Sequence, residues 1–191
     1  MAVSIVGGVP GVGSTRVCEL ARQDLEDEFE LLNFGDVMLE EAMAREQLAT
    51  RDDLRNLPIT EMHHLQRLAG EYIAERAKEN HLLVDTHFIL HTVHGFVPGL
   101  PEAVLRRVHP DQLVLVEAAP ETIIARRGES EHRDYNVETA RTVEFHQQLN
   151  RSAAVTYSMH AEAPIRIVSN QDQAQEAAAI LTQMLEGLTD G

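Results

Sequence analysis

A chain of 191 residues suits one α/β domain and is short for two, so we expect residues 1–191 to form a single domain. Acidic residues outnumber basic residues 31 to 16, and the formal charge of −15 argues against nucleic acid and anionic membranes as partners. Because a single cysteine excludes an internal disulfide and no apolar run approaches the roughly 18 residues of a membrane span, we expect a cytoplasmic protein.

The basic residues are strongly biased toward arginine. Lys78 is the one lysine among the 16 basic residues. An acidic surface with so little lysine is typical of proteins that work in concentrated salt, and we interpret the chain as salt-adapted. The alternative is an ordinary acidic protein whose composition favours arginine.

Five short apolar runs predict the strands of a sheet. Each has the length and apolar content of a buried strand. Helical patterns separate them, and this alternation predicts a parallel sheet in an α/β fold. The predicted strands span residues 2–6, 31–34, 82–85, 112–117 and 165–169.

Three helical patterns are clear from apolar residues that recur three and four positions apart. The first lies between positions 17 and 25, the second between 62 and 73, and the third between 174 and 185. Asn170 is placed to cap the third helix.

A glycine-rich loop follows the first strand and leads directly into a helical pattern. Closely spaced glycines let backbone N–H groups wrap around an anion, and the helix N-terminus adds partial positive charge. This context predicts a phosphate-binding loop for ATP, with Thr15 placing its hydroxyl on Mg²⁺. The alternative is a turn that binds nothing. The loop consists of Gly8, Val9, Pro10, Gly11, Val12, Gly13, Ser14 and Thr15.

The loop departs from the usual pattern at one position. Ser14 stands where the pattern G-x-x-x-x-G-K-[ST] has a lysine that reaches the terminal phosphates. Loss of that positive charge lowers nucleotide affinity and rate unless another group replaces it. Arg16 is the nearest candidate, although it points to a different side of the helix.

Further short motifs continue through most of the chain. In order, they are GVPGVG at 8–13, NFG at 33–35, RDDLR at 51–55, VDTH at 84–87, PGLP at 98–101, RR at 126–127, RD at 133–134 and NRSAA at 150–154. In this order the motifs resemble the archaeal adenylate kinase family, and the resemblance covers nearly the whole chain. Some members of that family also lack the lysine of the loop.

The resemblance implies reversible, Mg²⁺-dependent phosphoryl transfer from ATP to AMP, which gives two ADP. It implies a P-loop NTPase-type three-layer sandwich with a five-stranded parallel sheet. A helical AMP-binding segment is implied at residues 34–79 and a short lid over ATP at residues 128–137. By analogy alone it implies a homotrimer, and the salt-adapted composition then points to a halophilic archaeon.

Three arginines are candidates for contact with the transferred phosphoryl group. Arg126 and Arg127 end the helical pattern after the fourth predicted strand, and Arg133 lies in the polar segment that follows. Guanidinium groups chelate phosphate oxygens and stabilise transition-state charge, so we predict catalytic roles for all three. The alternative is that they pair with nearby carboxylates such as Glu131 or Asp134.

The acceptor is predicted to bind after the second strand. Phe34 and Gly35 leave that strand where a parallel sheet opens its crevice, and Arg55 follows in a helical pattern. We predict that these three residues bind AMP, with its phosphate on Arg55. Alternatively, Thr50 caps a helix together with Asp53, and Arg55 pairs with a neighbouring aspartate.

Asp85 closes the third predicted strand. A carboxylate at this place commonly holds the Mg²⁺ shell, often through water, so we predict a metal site formed by Thr15 and Asp85 and count Asp85 as catalytic. The alternative role is a local turn cap.

Three histidines, His87, His91 and His94, have a spacing that would align them on one helical face as zinc ligands. Aromatic and β-branched residues between them disfavour a helix, and the resemblance implies an irregular connection here, so we interpret them as solvated loop histidines.

Two other functions remain open from the sequence. The phosphate loop identifies the donor better than the acceptor, so another nucleoside monophosphate or an alcohol could replace AMP. Ser14 also leaves open a regulator that binds ATP without turnover, although such a protein would need no set of catalytic arginines.

Overall fold

The computed structural model describes residues 1–26, 28–45, 50–128 and 139–189, with the backbone alone at positions 51 and 52. Arg133 and the predicted lid at 128–137, except for Gly128, lie outside these ranges. Within them, no helix has the length and apolar character needed to cross a membrane.

Five strands form a parallel sheet with the order β2-β3-β1-β6-β7. A separate antiparallel pair is formed by β4 and β5. In chain order the strands are β1 Val3–Gly7, β2 Phe29–Asn33, β3 His81–Thr86, β4 Ile89–Thr92, β5 Gly95–Pro98, β6 Gln112–Glu117 and β7 Ile165–Ser169.

Helices cover both faces of the five-stranded sheet, so the predicted three-layer architecture is confirmed. Alternate strand residues supply the two cores: Ile5 packs with the helices of one face and Val6 with those of the other. The helices are α1 Ser14–Asp24, α2 Phe34–Met43, α3 Arg51–Leu54, α4 Ile59–Arg76, α5 Glu102–Val108, α6 Pro120–Gly128, α7 Ala140–Ala161 and α8 Ala174–Thr189.

The predicted strands agree with the structure except at the second. Strands β6 and β7 have the predicted bounds, and β1 and β3 differ by one residue at their ends. Phe34, however, begins α2 instead of ending β2. The Asn33 side chain accepts hydrogen bonds from the backbone N–H groups of Gly35 and Asp36, and this cap ends the strand.

The connection after β3 is a hairpin, so the prediction of an irregular segment was wrong. Its four residue pairs run from Ile89 with Pro98 to Thr92 with Gly95. Gly95, the first residue of β5, has a φ of 100°, and its carbonyl accepts a hydrogen bond from Thr92 Oγ1 at 3.0 Å. Each strand has only four residues, which is too short for a strong alternating pattern in the sequence.

The predicted helix cap at Asn170 was also wrong. Helix α8 begins at Ala174, four residues farther along the chain. The Asn170 side chain instead donates from Nδ2 to the carbonyl of Val12 at 2.8 Å. A contact with the glycine-rich loop therefore takes the place of a local cap.

Candidate functional site

The carboxyl ends of β1, β2 and β3 meet at a cavity of about 300 Å³. One end of the cavity is lined by the glycine-rich loop and the start of α1. The other end is mainly apolar, with Arg55 beside it. The apolar end is formed by Phe34, Met38, Leu54, Met62 and Leu90.

The glycine-rich loop has the backbone of an anion-binding turn. Gly11 and Gly13 have φ values of 84° and 88°, in the left-handed region that side chains disfavour. Gly13 is also the N-cap of α1, so the first helical N–H groups and their partial positive charge face the same cavity.

Thr15, Asn33 and Asp85 form one hydrogen-bonded group at the cavity wall. Thr15 Oγ1 donates to Asp85 Oδ2 at 2.6 Å, and Asn33 Nδ2 donates to the same oxygen at 2.9 Å. Asp85 is only 3% exposed. Oδ2 of Asp85 thus accepts two hydrogen bonds at the cavity wall, and carboxylate oxygens are preferred ligands of hard cations.

Ser14 is the first residue of α1, buried at the cavity wall. Arg16 is not a neighbour of this position, because its exposed guanidinium pairs with Glu19 at 3.3 Å and the residue does not line the cavity. Arg16 therefore points away from the cavity, as its position two residues along the helix predicts.

The two arginines at the end of α6 contact backbone carbonyls. Arg126 lines the cavity, and its Nη1 donates to Val12 O at 3.1 Å and to Asn170 O at 2.8 Å. Arg127 is 5% exposed and donates from Nε to Pro10 O at 2.7 Å. Arg126 therefore lines the cavity beside the glycine-rich loop, whereas Arg127 contacts the loop without lining the cavity.

The predicted acceptor residues come together at one side of the cavity. Phe34, Gly35 and Arg55 all line it. Within the described part of the chain, no side chain forms an ion pair with the half-buried guanidinium of Arg55. Thr50 and Asp53 do form the alternative local cap, since Thr50 Oγ1 donates to Asp53 Oδ2 at 2.7 Å.

The three histidines lie in different environments. His91 is exposed and stacks on Phe96 with ring centroids 4.6 Å apart, and His94 is exposed in the hairpin turn. His87 was wrongly interpreted as a solvated histidine, because it lines the cavity and its Nδ1 bonds the carbonyl of Gly8 at 2.8 Å. A carbonyl only accepts, so Nδ1 carries the proton of this bond.

A buried histidine and a buried tyrosine support the hairpin next to the cavity. His146 Nε2 bonds the carbonyl of Ile89 at 3.1 Å, and burial lowers the pKa of His146 to about 4. Tyr157 donates to Phe88 O at 2.7 Å and accepts from Leu100 N at 3.2 Å, and burial raises the pKa of Tyr157 to about 12. Both side chains are therefore neutral near pH 7.

No site role was predicted for Asn33 or Asn170, and His87 was interpreted as a solvated residue. Asn33 and His87 stood within recognised motifs, NFG and VDTH, at the ends of predicted strands, so their position was a usable signal. Asn170 gave none, because its partner Val12 is 158 positions away in the chain.

Comparison with known proteins identifies relatives over nearly the full length. A family model described as an AAA domain matches residues 7–144. The adenylate kinase of Pyrococcus horikoshii is 41% identical over 186 residues, which cover 96% of this chain and 95% of that protein. The adenylate kinase of Methanothermobacter thermautotrophicus is 42% identical over 178 residues, which cover 93% of this chain and 95% of that protein.

Solved structures with a similar fold include two shikimate kinases. The enzyme from Acinetobacter baumannii, in complex with shikimate, aligns with a TM-score of 0.65 and 13% identity over 97% of this chain and 93% of that chain. The enzyme from Bacteroides thetaiotaomicron aligns with a TM-score of 0.60 and 13% identity, covering 97% and 98%. At such identities the likeness shows the fold alone.

Proposed function

The chain belongs to the adenylate kinase family, and we propose that it catalyses reversible, Mg²⁺-dependent phosphoryl transfer from ATP to AMP, giving two ADP. Direct transfer between two nucleotides requires both phosphate groups to be held in line within one site. The observation that carries the proposal is that the glycine-rich loop and Arg55 line the same cavity.

The loop supports the donor half of the reaction. Backbone N–H groups of Gly11 and Gly13 and the N-terminus of α1 offer hydrogen bonds and partial positive charge to the ATP phosphates. Arg126, at the same end of the cavity, adds a full positive charge beside the phosphoryl group. We assign Arg133 a similar contact on the strength of family membership.

The residues at the cavity wall fit an Mg²⁺ ion. Thr15 and Asp85 offer hydroxyl and carboxylate oxygens, which are the donors that Mg²⁺ prefers. Bound with ATP, Mg²⁺ would neutralise charge on the phosphate oxygens. Asn33 holds the Asp85 carboxylate in place through its hydrogen bond.

The acceptor half of the reaction is assigned to residues 34–79. Arg55 offers a guanidinium that can hold the AMP phosphate by two parallel hydrogen bonds. Phe34, Met38, Leu54 and Met62 form an apolar wall suited to the flat face of a base. Family membership also supports a lid role for residues 128–137, of which all but Gly128 lie outside the described part.

Three broader assignments belong to the same proposal. The relatives are archaeal, and the acidic, lysine-poor composition favours a halophilic archaeon as the source. A cytoplasmic location follows from the need for ATP and AMP as substrates. A homotrimer is assigned by family analogy alone.

The experiment is an assay of ADP formation from MgATP with AMP, CMP, UMP or GMP, at low and high KCl. AMP is expected to give the highest kcat/KM. A higher value with another monophosphate would overturn the acceptor assignment. ATP binding by calorimetry without ADP formation would indicate a regulator, and Asp85→Asn serves as the control for contaminating kinases.

A further inference from the structure

Two backbone carbonyls of the glycine-rich loop accept hydrogen bonds from side chains that are distant in the chain. The first is Pro10 O, which accepts from Nε of Arg127 at 2.7 Å and also from its Nη2. Arg127 is nearly buried and does not line the cavity. Two of its donors therefore contact the carbonyl side of the loop.

The second carbonyl is Val12 O. It accepts from Asn170 Nδ2 at 2.8 Å and from Arg126 Nη1 at 3.1 Å. Asn170 is 2% exposed. Alternate peptide groups of the loop are thus held by the same kind of contact.

These contacts fix the direction of two N–H groups. In a trans peptide the C=O and the following N–H point in opposite directions, and the described residues contain no cis peptide. With Pro10 O toward Arg127 and Val12 O toward Asn170, the N–H groups of Gly11 and Gly13 point away from those side chains. Gly11 and Gly13 both line the cavity.

The same side chains explain why both positions are glycine. A Cβ added to Gly11 would lie 2.7 Å from Cγ of Arg127, and one added to Gly13 would lie 2.7 Å from Nδ2 of Asn170. Arg127 and Asn170 occupy the space into which a Cβ at these two positions would project. Arg127 therefore requires a glycine at position 11, and Asn170 requires one at position 13.

We propose that Arg127 is a positioning residue that orients the phosphate-binding loop from its carbonyl side, with Asn170 doing the same at Val12. The ligand is the phosphate chain of a nucleoside triphosphate, so this inference rests on the proposed function. Ser14 supplies no positive charge to the phosphates. Amides already aimed at the cavity need no reorganisation when an anion binds, which raises the affinity of the loop.

This role differs from the phosphate contact that the sequence predicts for Arg127. Removal of the side chain would change a different kinetic parameter in each case. A side chain that touches the transferred phosphoryl group in the transition state lowers kcat when it is removed. A side chain that prepares the loop for any triphosphate raises the dissociation constant of the triphosphate instead.

The test uses the full chain and the variants Arg127→Met, which has no donor, and Arg127→Lys, which keeps one. Arg107→Met is the matched control, because Arg107 is exposed and pairs with Glu71 at 2.7 Å. Dissociation constants for MgATP, inorganic tripolyphosphate and AMP are measured by calorimetry, and kcat is measured at saturating substrates.

For Arg127→Met we expect both triphosphates to bind about tenfold more weakly, the loss of a charged hydrogen bond, with AMP affinity unchanged. Arg127→Lys should recover part of the affinity, and the control should match the wild type. A change below threefold for both triphosphates overturns the proposal. So does a hundredfold loss of kcat with ATP affinity unchanged, or a parallel loss of AMP affinity.

Asn170→Ala keeps the proposal testable if Arg127→Met fails to fold. It should weaken tripolyphosphate binding at least threefold without altering AMP affinity, and unchanged tripolyphosphate binding overturns the proposal. The wild type separates this inference from the proposed function. If the wild type binds MgATP and the variants bind it equally well, the inference alone fails. If the wild type does not bind MgATP, the proposed function fails as well.

Discussion

The hydroxyl of Thr15 donates a 2.6 Å hydrogen bond to Oδ2 of Asp85, which joins the start of α1 to the end of β3 at one carboxylate oxygen. These residues are 70 positions apart in the chain. The contact brings a hydroxyl and a carboxylate to the same wall of the cavity, where the phosphates of the donor are proposed to bind.

Asp85→Asn should reduce kcat/KM on the order of 100-fold, because it removes the charged oxygen proposed to hold Mg²⁺. Thr15→Val should also lower activity, and Thr15→Ser should retain most of it because the hydroxyl remains. The measurement is ADP formation over a range of Mg²⁺ concentrations. Full activity of Asp85→Asn would exclude a role for this carboxylate in metal binding.

Arg55→Ala should raise the KM for AMP by about tenfold or more, the loss of one charged hydrogen-bonding group, and leave the KM for ATP nearly unchanged. Arg106→Ala is the control, since Arg106 is an exposed arginine paired with Glu102. Initial rates with each nucleotide varied in turn provide the test. An equal rise in both KM values would argue against a specific acceptor contact.

Ser14→Lys tests how the loop works without its lysine. Ser14 is only 4% exposed and lines the cavity, which is the open space next to this position. If no other group occupies the space of the missing lysine side chain, the substitution preserves or raises kcat/KM. A collapse of activity with normal folding would show that the space is already used by another group.

His146 makes stability fall as the pH falls. Burial lowers its pKa to about 4; the hydrogen bond to the Ile89 carbonyl opposes this effect, and Arg127, His87 and His91 add smaller decreases. Between pH 6.5 and 4 the unfolded chain binds a proton at this position and the folded chain does not. Unfolding is therefore favoured by up to about 1.4 kcal/mol per pH unit in that window, and the effect ends above pH 6.5.

The check for His146 is urea unfolding between pH 4.5 and 7.5. His146→Gln should have a flatter dependence than the wild type across the lower part of this range. His94→Gln, at an exposed histidine of the hairpin turn, should keep the dependence of the wild type. Identical slopes for all three proteins would show that His146 does not titrate as described.

Concentrated KCl should raise the melting temperature. The formal charge of −15 produces repulsion between carboxylates that salt screens, with a Debye length of about 10 Å at 0.1 M and 3 Å at 1 M. Each 1 kcal/mol of relieved repulsion raises Tm by about 2–4 °C in a protein of this size. A melting temperature that is the same in 0.1 M and 2 M KCl would contradict the salt-adapted interpretation.

The sequence predicted strands β6 and β7 with their observed bounds but gave no sign of the hairpin. Long apolar runs in a parallel sheet leave a local pattern, whereas strands of four residues do not. Phe34 was placed in a strand because it is apolar, although Asn33 before it is a preferred cap residue. The hydrogen bonds of the Asn33 cap therefore make Phe34 the first residue of α2.

The amino-acid sequence by itself determined the alternation of the five sheet strands with helices and the glycine-rich loop after the first strand, because periodicity and turn chemistry are local. Only the tertiary structure decided what each arginine contacts. Arg127 and Pro10 are 117 positions apart, so their contact depends on how the fold brings the end of α6 to the loop after β1. Arg127, which the sequence predicts to be a phosphate ligand, instead donates hydrogen bonds to a backbone carbonyl of the loop.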